Sequence, residues 1–151
     1  MTGVQTCALP ISFTGVKGRL QRKPGKNGAV VIDDTYNANP DSVLAAIEVL
    51  RSEAGKKILV LGDMGELGKQ GPALHRQIGA QAKDAGIDVL YTLGELSAGA
   101  AQRFGKGARH FTQIEELLAE VEKLLAPGVT VLVKGSRFMQ MERVVERLAA
   151  Q

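Results

Sequence analysis

The chain has 151 residues, of which 44% are hydrophobic and 23% charged, a composition typical of one globular domain with a sizeable core. Its net charge is only +3, and its lysines and arginines are spread among acidic residues, which argues against a nucleic-acid-binding protein with a clustered basic face. The single cysteine excludes an internal disulfide and favours a cytoplasmic location, and no apolar run approaches the ~20 residues of a membrane span.

The first twelve residues, MTGVQTCALPIS, do not resemble a targeting segment, because they lack a basic region and their apolar stretch is short. Residues 1–11 match instead the in-frame translation of a common short-read sequencing adapter whose first codon is read as a start. We therefore expect Met1–Ser12 to be a disordered artefact in which Cys7 has no chemical role. The domain is predicted to occupy residues 13–151.

From Ala29 onward, short apolar runs alternate with helical patterns. The apolar runs predict five strands, at Ala29–Asp33, Ile58–Leu61, Val89–Leu93, Arg109–Phe111 and Thr130–Val133. Helical spacing of apolar residues predicts five helices, at Pro40 towards Gly55, Pro72–Ala85, Leu96–Phe104, Thr112 to Leu125 and Phe138–Leu148. Asn39 before Pro40 is a typical helix start, and Thr112 with Glu115 predicts a capping box.

Continuously apolar strands that alternate with helices indicate a parallel sheet covered on both faces. We therefore predict a three-layer, Rossmann-like α/β domain with a mostly parallel sheet of five or six strands. In such sheets, ligands bind where the strands end and the chain turns into the next helix.

Three loops fall at these strand ends. In the first, Asp33–Pro40, we expect Asp34 and Asn37 to bind a ligand and Asp33 and Asn39 to brace or cap the loop. The second, Gly62–Gly68, is glycine-rich, which is a weak signal. The third, Lys134-Gly135-Ser136-Arg137, combines two cations, a hydroxyl and a flexible glycine before a helix, which favours an anion or carboxylate site.

Motifs for catalysis are missing from the chain. It contains no P-loop, no dinucleotide-binding glycine fingerprint after the first strand, no Cys/His metal cluster and no Ser/His/Asp arrangement. His75 and His110 lie within a helical and a strand pattern, and we interpret both as structural. The sequence thus predicts a ligand-binding domain with no catalytic residue and no metal site of its own.

Three segments, VIDDTYNANPDSVLAAIEVL, ILVLGDMGELG and VLVKGSRFMQMERVV, resemble the Mur ligases, ATP-dependent amino-acid ligases of bacterial cell-wall synthesis. The similarity runs from about Thr14 to the C-terminus. Within the family, DDTYNANP resembles the ligase that adds D-alanyl-D-alanine to UDP-muramoyl-tripeptide, since sister ligases carry an Asp-Tyr-Ala-His-type variant. The diaminopimelate-adding sister would carry Asp-Asn-Pro-Arg after the third strand, where this chain reads Thr92-Leu93-Gly94-Glu95.

The resemblance implies that this chain is the C-terminal domain of a three-domain, monomeric enzyme. The N-terminal UDP-sugar domain and the central ATPase domain, which mainly binds ATP and Mg²⁺, are missing here. In the complete enzyme, ATP would convert the tripeptide carboxylate into an acyl phosphate, which the amine of D-alanyl-D-alanine attacks. The C-terminal domain would close over the ATPase domain. We expect the fragment alone to be inactive.

The resemblance also implies roles for individual residues. Arg19 matches an arginine that reaches the ATP phosphates, and Asp34 matches an aspartate that holds the ribose. Tyr36, Asn37 and Asn39 would line the nucleotide side of the closed cleft. The segment from Lys134 through Gly135 and Ser136 to Arg137 would face the incoming amino acid.

Two alternatives remain open. The chain could belong to a sister ligase that adds a different amino acid. It could also be a receiver-like phosphoacceptor module, which likewise needs an acidic pair after its first strand and a lysine after its fifth, as Asp33-Asp34 and Lys134 would supply. A receiver additionally needs an aspartate at the end of its third strand, and Gly94-Glu95 stands there.

Overall fold

The computed structural model describes residues 17–150 of the chain. The expected adapter-derived segment, Met1–Ser12, lies outside the described residues, so that interpretation stays a prediction. Among the residues described, none of the helices has the length and apolar character needed to cross a membrane.

Six strands form one sheet in the spatial order β1-β2-β6-β3-β4-β5. The strands are β1 (Gln21–Pro24), β2 (Val30–Asp34), β3 (Lys56–Gly62), β4 (Val89–Leu93), β5 (Ala108–Phe111) and β6 (Val129–Lys134). Only β1 runs antiparallel to its neighbour, which confirms the predicted mostly parallel sheet. Strand β1 was not predicted, because its residues are mainly polar and it includes a proline, which only an edge strand tolerates.

Five helices cover the two faces of the sheet: α1 (Pro40–Arg51), α2 (Gly71–Asp84), α3 (Ala98–Phe104), α4 (Ile114–Glu122) and α5 (Glu142–Leu148). The buried side chains of α1, α2 and α3 belong to one core cluster, and those of α4 and α5 belong to a second. All six residues of β6 are buried between the two layers. The predicted three-layer architecture is therefore confirmed.

The local sequence signals predict the start of α1 correctly and the start of α4 incorrectly. The Asn39 side chain accepts a hydrogen bond from the Ser42 N–H, the Ser42 hydroxyl accepts one from the Asn39 N–H, and Pro40 follows the cap. In contrast, α4 begins at Ile114, and its N-cap is Gln113, which makes no side-chain capping bond. The capping box predicted from Thr112 is wrong because that residue lies one position too early.

The last predicted helix is interrupted. A 3₁₀ turn spans Arg137–Met139, Gln140 adopts a left-handed conformation with φ of 51°, and α5 begins only at Glu142. The guanidinium of Arg143 donates hydrogen bonds to the carbonyls of Met139 and Gln140, at 2.8 and 3.0 Å. These bonds satisfy carbonyl groups that a continuous helix would have used, so they stabilise the interruption.

Asp63, directly after β3, connects that strand to the segment before α3. Its buried carboxylate accepts hydrogen bonds from the N–H groups of Glu95, Leu96 and Ser97, at 2.8, 3.0 and 2.8 Å. Burial by itself would raise the pKa of Asp63, but these backbone donors together bring that pKa below its ordinary value. The neighbouring Gly94 has φ of +123°, and a Cβ there would lie 2.5 Å from the carboxylate.

We predict that Asp63→Asn lowers the free energy of unfolding at pH 7 by roughly 2–3 kcal/mol, because charge-assisted bonds to backbone donors are lost. A carboxyl group whose folded pKa is lowered contributes stability above its unfolded pKa of about 4, and that contribution disappears as the pH falls through the folded pKa. Urea unfolding at pH 7 and pH 3 should therefore show a smaller difference between wild type and variant at pH 3. Asp84→Asn, at an exposed position on α2, is the control. Equal stabilities of Asp63→Asn and wild type at pH 7 would contradict the assignment.

Candidate functional site

The order of the strands creates a crevice at the carboxyl ends of the central strands. Strand β6 lies between β2 and β3. The chain leaves β2 and β3 into α1 and α2 on one face, whereas it leaves β6 towards α5 on the other face. In open α/β sheets, ligands bind at such switch points, outside the carboxyl ends of the strands.

A buried ion pair lies at the base of this crevice. Asp34 and Lys134 are register partners at the ends of β2 and β6, and the lysine Nζ is 2.9 Å from the aspartate Oδ2. The same Nζ donates to the carbonyl of Asn37, also at 2.9 Å, and the aspartate Oδ1 accepts the N–H of Leu20 at 3.2 Å. The side chains of Lys134 and Asp34 are only 4% and 9% exposed. The pair is therefore buried, and it fixes the loop after β2.

A cavity of about 360 Å³ opens beside this pair on the α1 side. It is lined by all five residues predicted to bind the nucleotide, namely Arg19, Asp34, Tyr36, Asn37 and Asn39. The guanidinium of Arg19 stacks over the Tyr36 ring, 4.3 Å from its centroid, and both side chains are exposed. We call this cavity the first pocket. The side chain of Leu20 and the first half of α1 complete its wall.

A second cavity, of about 570 Å³, lies next to the first. Its lining comes from three loops and comprises Asn37, Ala38, Asn39, Gly65, Glu66, Leu67, Ser136, Arg137 and Phe138. We call it the second pocket. Because Asn37 and Asn39 line both pockets, the loop after β2 is the wall that the two pockets share.

The predicted substrate segment, residues 134–137, divides between the pockets. Ser136 and Arg137 line the second pocket, whereas Lys134 lines the first and points its ammonium at Asp34. Gly135 is a packing position, because a Cβ there would lie 2.6 Å from Cγ of Met141. The structure thus brings these four residues to one surface, formed by the loops that follow β2, β3 and β6, which we call the rim. Their surroundings within the rim differ.

Hydrogen bonds from this segment join the three loops of the rim. The Ser136 hydroxyl accepts the Gly65 N–H at 2.6 Å and donates to the Ala38 carbonyl at 3.3 Å. The Arg137 guanidinium donates to the Thr35 carbonyl at 3.1 Å and pairs with Glu142. The rim is therefore held as one unit by side-chain bonds between loops that are far apart in the sequence.

Asp33 has the bracing role that was expected of it. Its Oδ1 accepts the N–H and the hydroxyl of Thr35, and its Oδ2 is 3.3 Å from the Nζ of Lys23. Within residues 17–150, histidine, cysteine and carboxylate side chains form no group of three or more that could hold a metal ion. The two carboxylates at the end of β2 are both engaged by lysines.

The two histidines have structural surroundings, as predicted. His75 is fully buried, and its Nε2 accepts the N–H of Met64 at 2.9 Å while its Nδ1 donates to the Gly71 carbonyl at 2.7 Å. These partners place the ring proton on Nδ1. His110, on the edge strand β5, pairs with the Thr92 hydroxyl at 2.7 Å and lines neither of the two pockets.

Phe138 is the residue of the rim that the sequence analysis missed. It follows the Lys134–Arg137 segment directly, but its apolar character was read as the first turn of a helix. The structure leaves 66% of Phe138 exposed at the second pocket. One signal in the sequence could have identified it. An amphipathic helix would begin with a polar residue, whereas here an aromatic residue directly follows a cationic loop.

The topology excludes the receiver-like alternative. Receiver domains place their five parallel strands in the order 2-1-3-4-5. Here the last parallel strand, β6, lies between the first and the second, β2 and β3. The lysine at the end of β6 therefore pairs directly with the strand-end aspartate of its neighbour, in a different architecture.

Comparisons with known proteins agree with this arrangement. The family model described as Mur ligase, glutamate ligase domain, matches residues 18–137. The chain is 41% identical over 139 residues to the UDP-N-acetylmuramoyl-tripeptide–D-alanyl-D-alanine ligase of Escherichia coli K12, covering 91% of this chain and 30% of the relative. It is 39% identical over 145 residues to the ligase of the same name from Bacillus subtilis 168, covering 91% of this chain and 31% of that relative.

Solved structures show the same fold. A MurF ligase from Thermotoga maritima in complex with ADP has a TM-score of 0.77 and 32% identity, covering 90% of this chain and 31% of that one. A MurF from Acinetobacter baumannii has a TM-score of 0.81 and 34% identity, covering 88% and 30% respectively. The chain spans about three tenths of the length of the curated relatives that it matches.

We predict that Lys134→Met alone lowers the free energy of unfolding by roughly 3–5 kcal/mol, because it leaves the Asp34 carboxylate buried without a counter-ion. The double variant Lys134→Met/Asp34→Asn should recover part of this loss, since no buried charge remains unpaired. Urea unfolding of the two variants measures both effects, with Lys69→Met, at an exposed position, as control. Equal losses in the single and double variants would show that the lysine stabilises the rim by packing alone.

Proposed function

The chain belongs to the Mur ligase family, and we propose that it is the C-terminal domain of a cytoplasmic, ATP-dependent ligase that joins D-alanyl-D-alanine to UDP-N-acetylmuramoyl-tripeptide. The observation that carries the proposal is the convergence of Arg19, Asp34, Tyr36, Asn37 and Asn39 on one pocket. A second pocket beside it offers a place for the amino component. Seven relatives named as this ligase share 36–41% identity with the chain.

In the first pocket, the residues suit the ribose and phosphates of a nucleotide. Each carboxylate oxygen has two lone pairs, so Asp34 can hold Lys134 and the Leu20 N–H and still accept hydrogen bonds from ribose hydroxyls. The planar guanidinium of Arg19 can bind phosphate oxygens in bidentate fashion, and its position over Tyr36 keeps it at the mouth of the pocket. We assign Tyr36, Asn37 and Asn39 to the pocket wall that faces the nucleotide.

In the second pocket, Ser136 and Arg137 are the residues that we assign to the dipeptide. The half-exposed guanidinium of Arg137 can attract the dipeptide carboxylate. Gly135 supports this loop by permitting the close approach of Met141. Lys134 contributes through its bonds to Asp34 and Asn37, which set the wall between the two ligands.

The domain works by completing a site rather than by supplying all of it. When bound, ATP supplies the phosphoryl group that turns the tripeptide carboxylate into a mixed anhydride open to attack by the dipeptide amine. Arg19 offsets phosphate charge, the second pocket orients the amine, and closure of the rim excludes water from the anhydride. We assign Mg²⁺ to the ATPase domain, since Asp33 and Asp34 are already paired with lysines.

The proposal is tested with a fusion that joins residues 17–150 to the first two domains of the Escherichia coli relative. We expect ATP-dependent phosphate release from the fusion with UDP-muramoyl-tripeptide and D-alanyl-D-alanine, and none when D-glutamate or diaminopimelate replaces the dipeptide. The 151-residue chain alone should give no turnover, because it contains no P-loop. The unmodified relative is the positive control.

Three results would contradict the proposal. The fusion could prefer another amino acid, which would favour a sister ligase. It could bind ATP and the tripeptide with the affinity of the unmodified relative and yet fail to ligate the dipeptide. The isolated chain could itself hydrolyse ATP in the presence of the substrates, which would mean that this domain contains catalytic machinery of its own.

A further inference from the structure

Exposed apolar side chains are concentrated at the rim. Four large hydrophobic residues among the described ones are at least 36% exposed, and three of them, Leu20, Tyr36 and Phe138, line the two pockets. The fourth, Leu44, lies on α1 in the groove towards α2. Phe138 is the most exposed of the four, at 66%, so the second pocket carries the largest uncovered apolar side chain of the described structure.

The position of Phe138 is fixed by the backbone around it. It is the central residue of the 3₁₀ turn Arg137–Met139, in which the Met139 N–H donates to the Ser136 carbonyl at 2.9 Å. On the far side, Arg143 donates to the Met139 carbonyl at 2.8 Å. The turn that carries the ring is thus anchored at both ends. Phe138 is exposed although its backbone is held in place.

The ring also rests on the glycine-rich loop after β3. A Cβ on Gly65 would lie 2.8 Å from Cε1 of Phe138, so only glycine lets the ring approach this backbone closely. Leu67, from the same loop, and Ala38 line the same cavity. Phe138, Leu67 and Ala38 supply the apolar part of the lining, which we call the apolar wall, and its polar part comes from Asn37, Asn39, Glu66, Ser136 and Arg137.

We infer that Phe138, with Leu67, is the specificity-determining wall for the amino component and selects a small, uncharged aliphatic side chain. The inference rests on the proposed function, in which this pocket receives D-alanyl-D-alanine. A methyl group gains contact with the ring at little cost in hydration. A side-chain carboxylate would be desolvated against the ring, because Arg137 is assigned to the carboxylate of the dipeptide and Glu66 in the same lining carries like charge. The polar part of the lining is left for the carboxylate and amide groups of the dipeptide.

This wall discriminates unequally between wrong substrates. An apolar surface excludes a carboxylate strongly, because the desolvated charge has no compensating bond. It excludes one additional methylene only weakly, by roughly ten- to two-hundredfold at most. We therefore expect D-alanyl-D-aspartate to be rejected far more strongly than D-alanyl-D-2-aminobutyrate, whose terminal side chain is one methylene longer.

The test measures kcat/KM of the fusion for D-alanyl-D-alanine and D-alanyl-D-aspartate. We expect Phe138→Ala to lower kcat/KM for D-alanyl-D-alanine by about tenfold, because one apolar contact to the substrate is lost. The same substitution should lower kcat/KM for D-alanyl-D-aspartate much less. The ratio between the two dipeptides should shrink accordingly, with the KM for ATP unchanged. Phe138→Leu should keep most of the preference, and Leu44→Ala, which removes an exposed leucine outside both pockets, should keep all of it.

A measurement that does not depend on turnover uses the 151-residue chain. D-Alanyl-D-alanine should shift the NMR signals of the Gly65 amide and the Phe138 ring, and Phe138→Ala should abolish the Gly65 shift while the other amide signals keep their folded dispersion. Shifts confined to the groove between α1 and α2, or the absence of any shift at saturating dipeptide, would overturn the inference.

The outcomes separate the inference from the proposed function. If the fusion ligates D-alanyl-D-alanine but Phe138→Ala leaves the dipeptide ratio unchanged, the wall does not select the substrate and the proposed function stands. A uniform loss for both dipeptides and for ATP would assign Phe138 a purely structural role and overturn the inference. Ligation of a different amino acid by the unsubstituted fusion would contradict the proposed function itself.

Discussion

The buried pair between Lys134 and Asp34 is the interaction on which the geometry of the rim depends. Two charges taken out of water are stable together only when further bonds satisfy them. Here the ammonium also binds the Asn37 carbonyl, and the carboxylate also accepts the Leu20 N–H. The pair exists because β6 is inserted between β2 and β3, which makes the two residues register partners across the sheet.

This pair has consequences for both pockets, because the loop that it fixes is their common wall. Asn37 and Asn39 line the first and the second pocket, and Ser136 ties the same loop to Gly65. A ligand that moved this loop on one side would change the shape of the pocket on the other side. The rim is thus built as one rigid surface, which suits the proposed role of completing a site for two ligands.

Much of this could be predicted from the sequence, because local patterns report local structure. Apolar runs located every parallel strand, and Asn39-Pro40 located the start of α1. The pattern did not show β1, whose polar residues become a strand only by pairing with β2, or the interruption at Gln140, which no glycine or proline marks. In both cases a tertiary contact overrides local propensity.

The site was predicted as a set of residues but not as a set of contacts. Lys134 was assigned to the substrate because a cation before a helix start resembles an anion site, yet its partner lies 100 residues away in the chain. Such a pairing follows from strand order, which spacing along a single chain does not reveal. The outward position of Phe138 follows in the same way from the turn that precedes α5.

The most direct test of the account is a crystal structure of the fusion with a non-hydrolysable ATP analogue, read at the Asp34 carboxylate and the Arg19 guanidinium. The account predicts ribose hydroxyl oxygens within hydrogen-bonding distance of Asp34 and phosphate oxygens within that distance of Arg19, with the Lys134–Asp34 bond intact. A nucleotide held entirely by the other domains, with neither Asp34 nor Arg19 in contact with it in the closed enzyme, would contradict it.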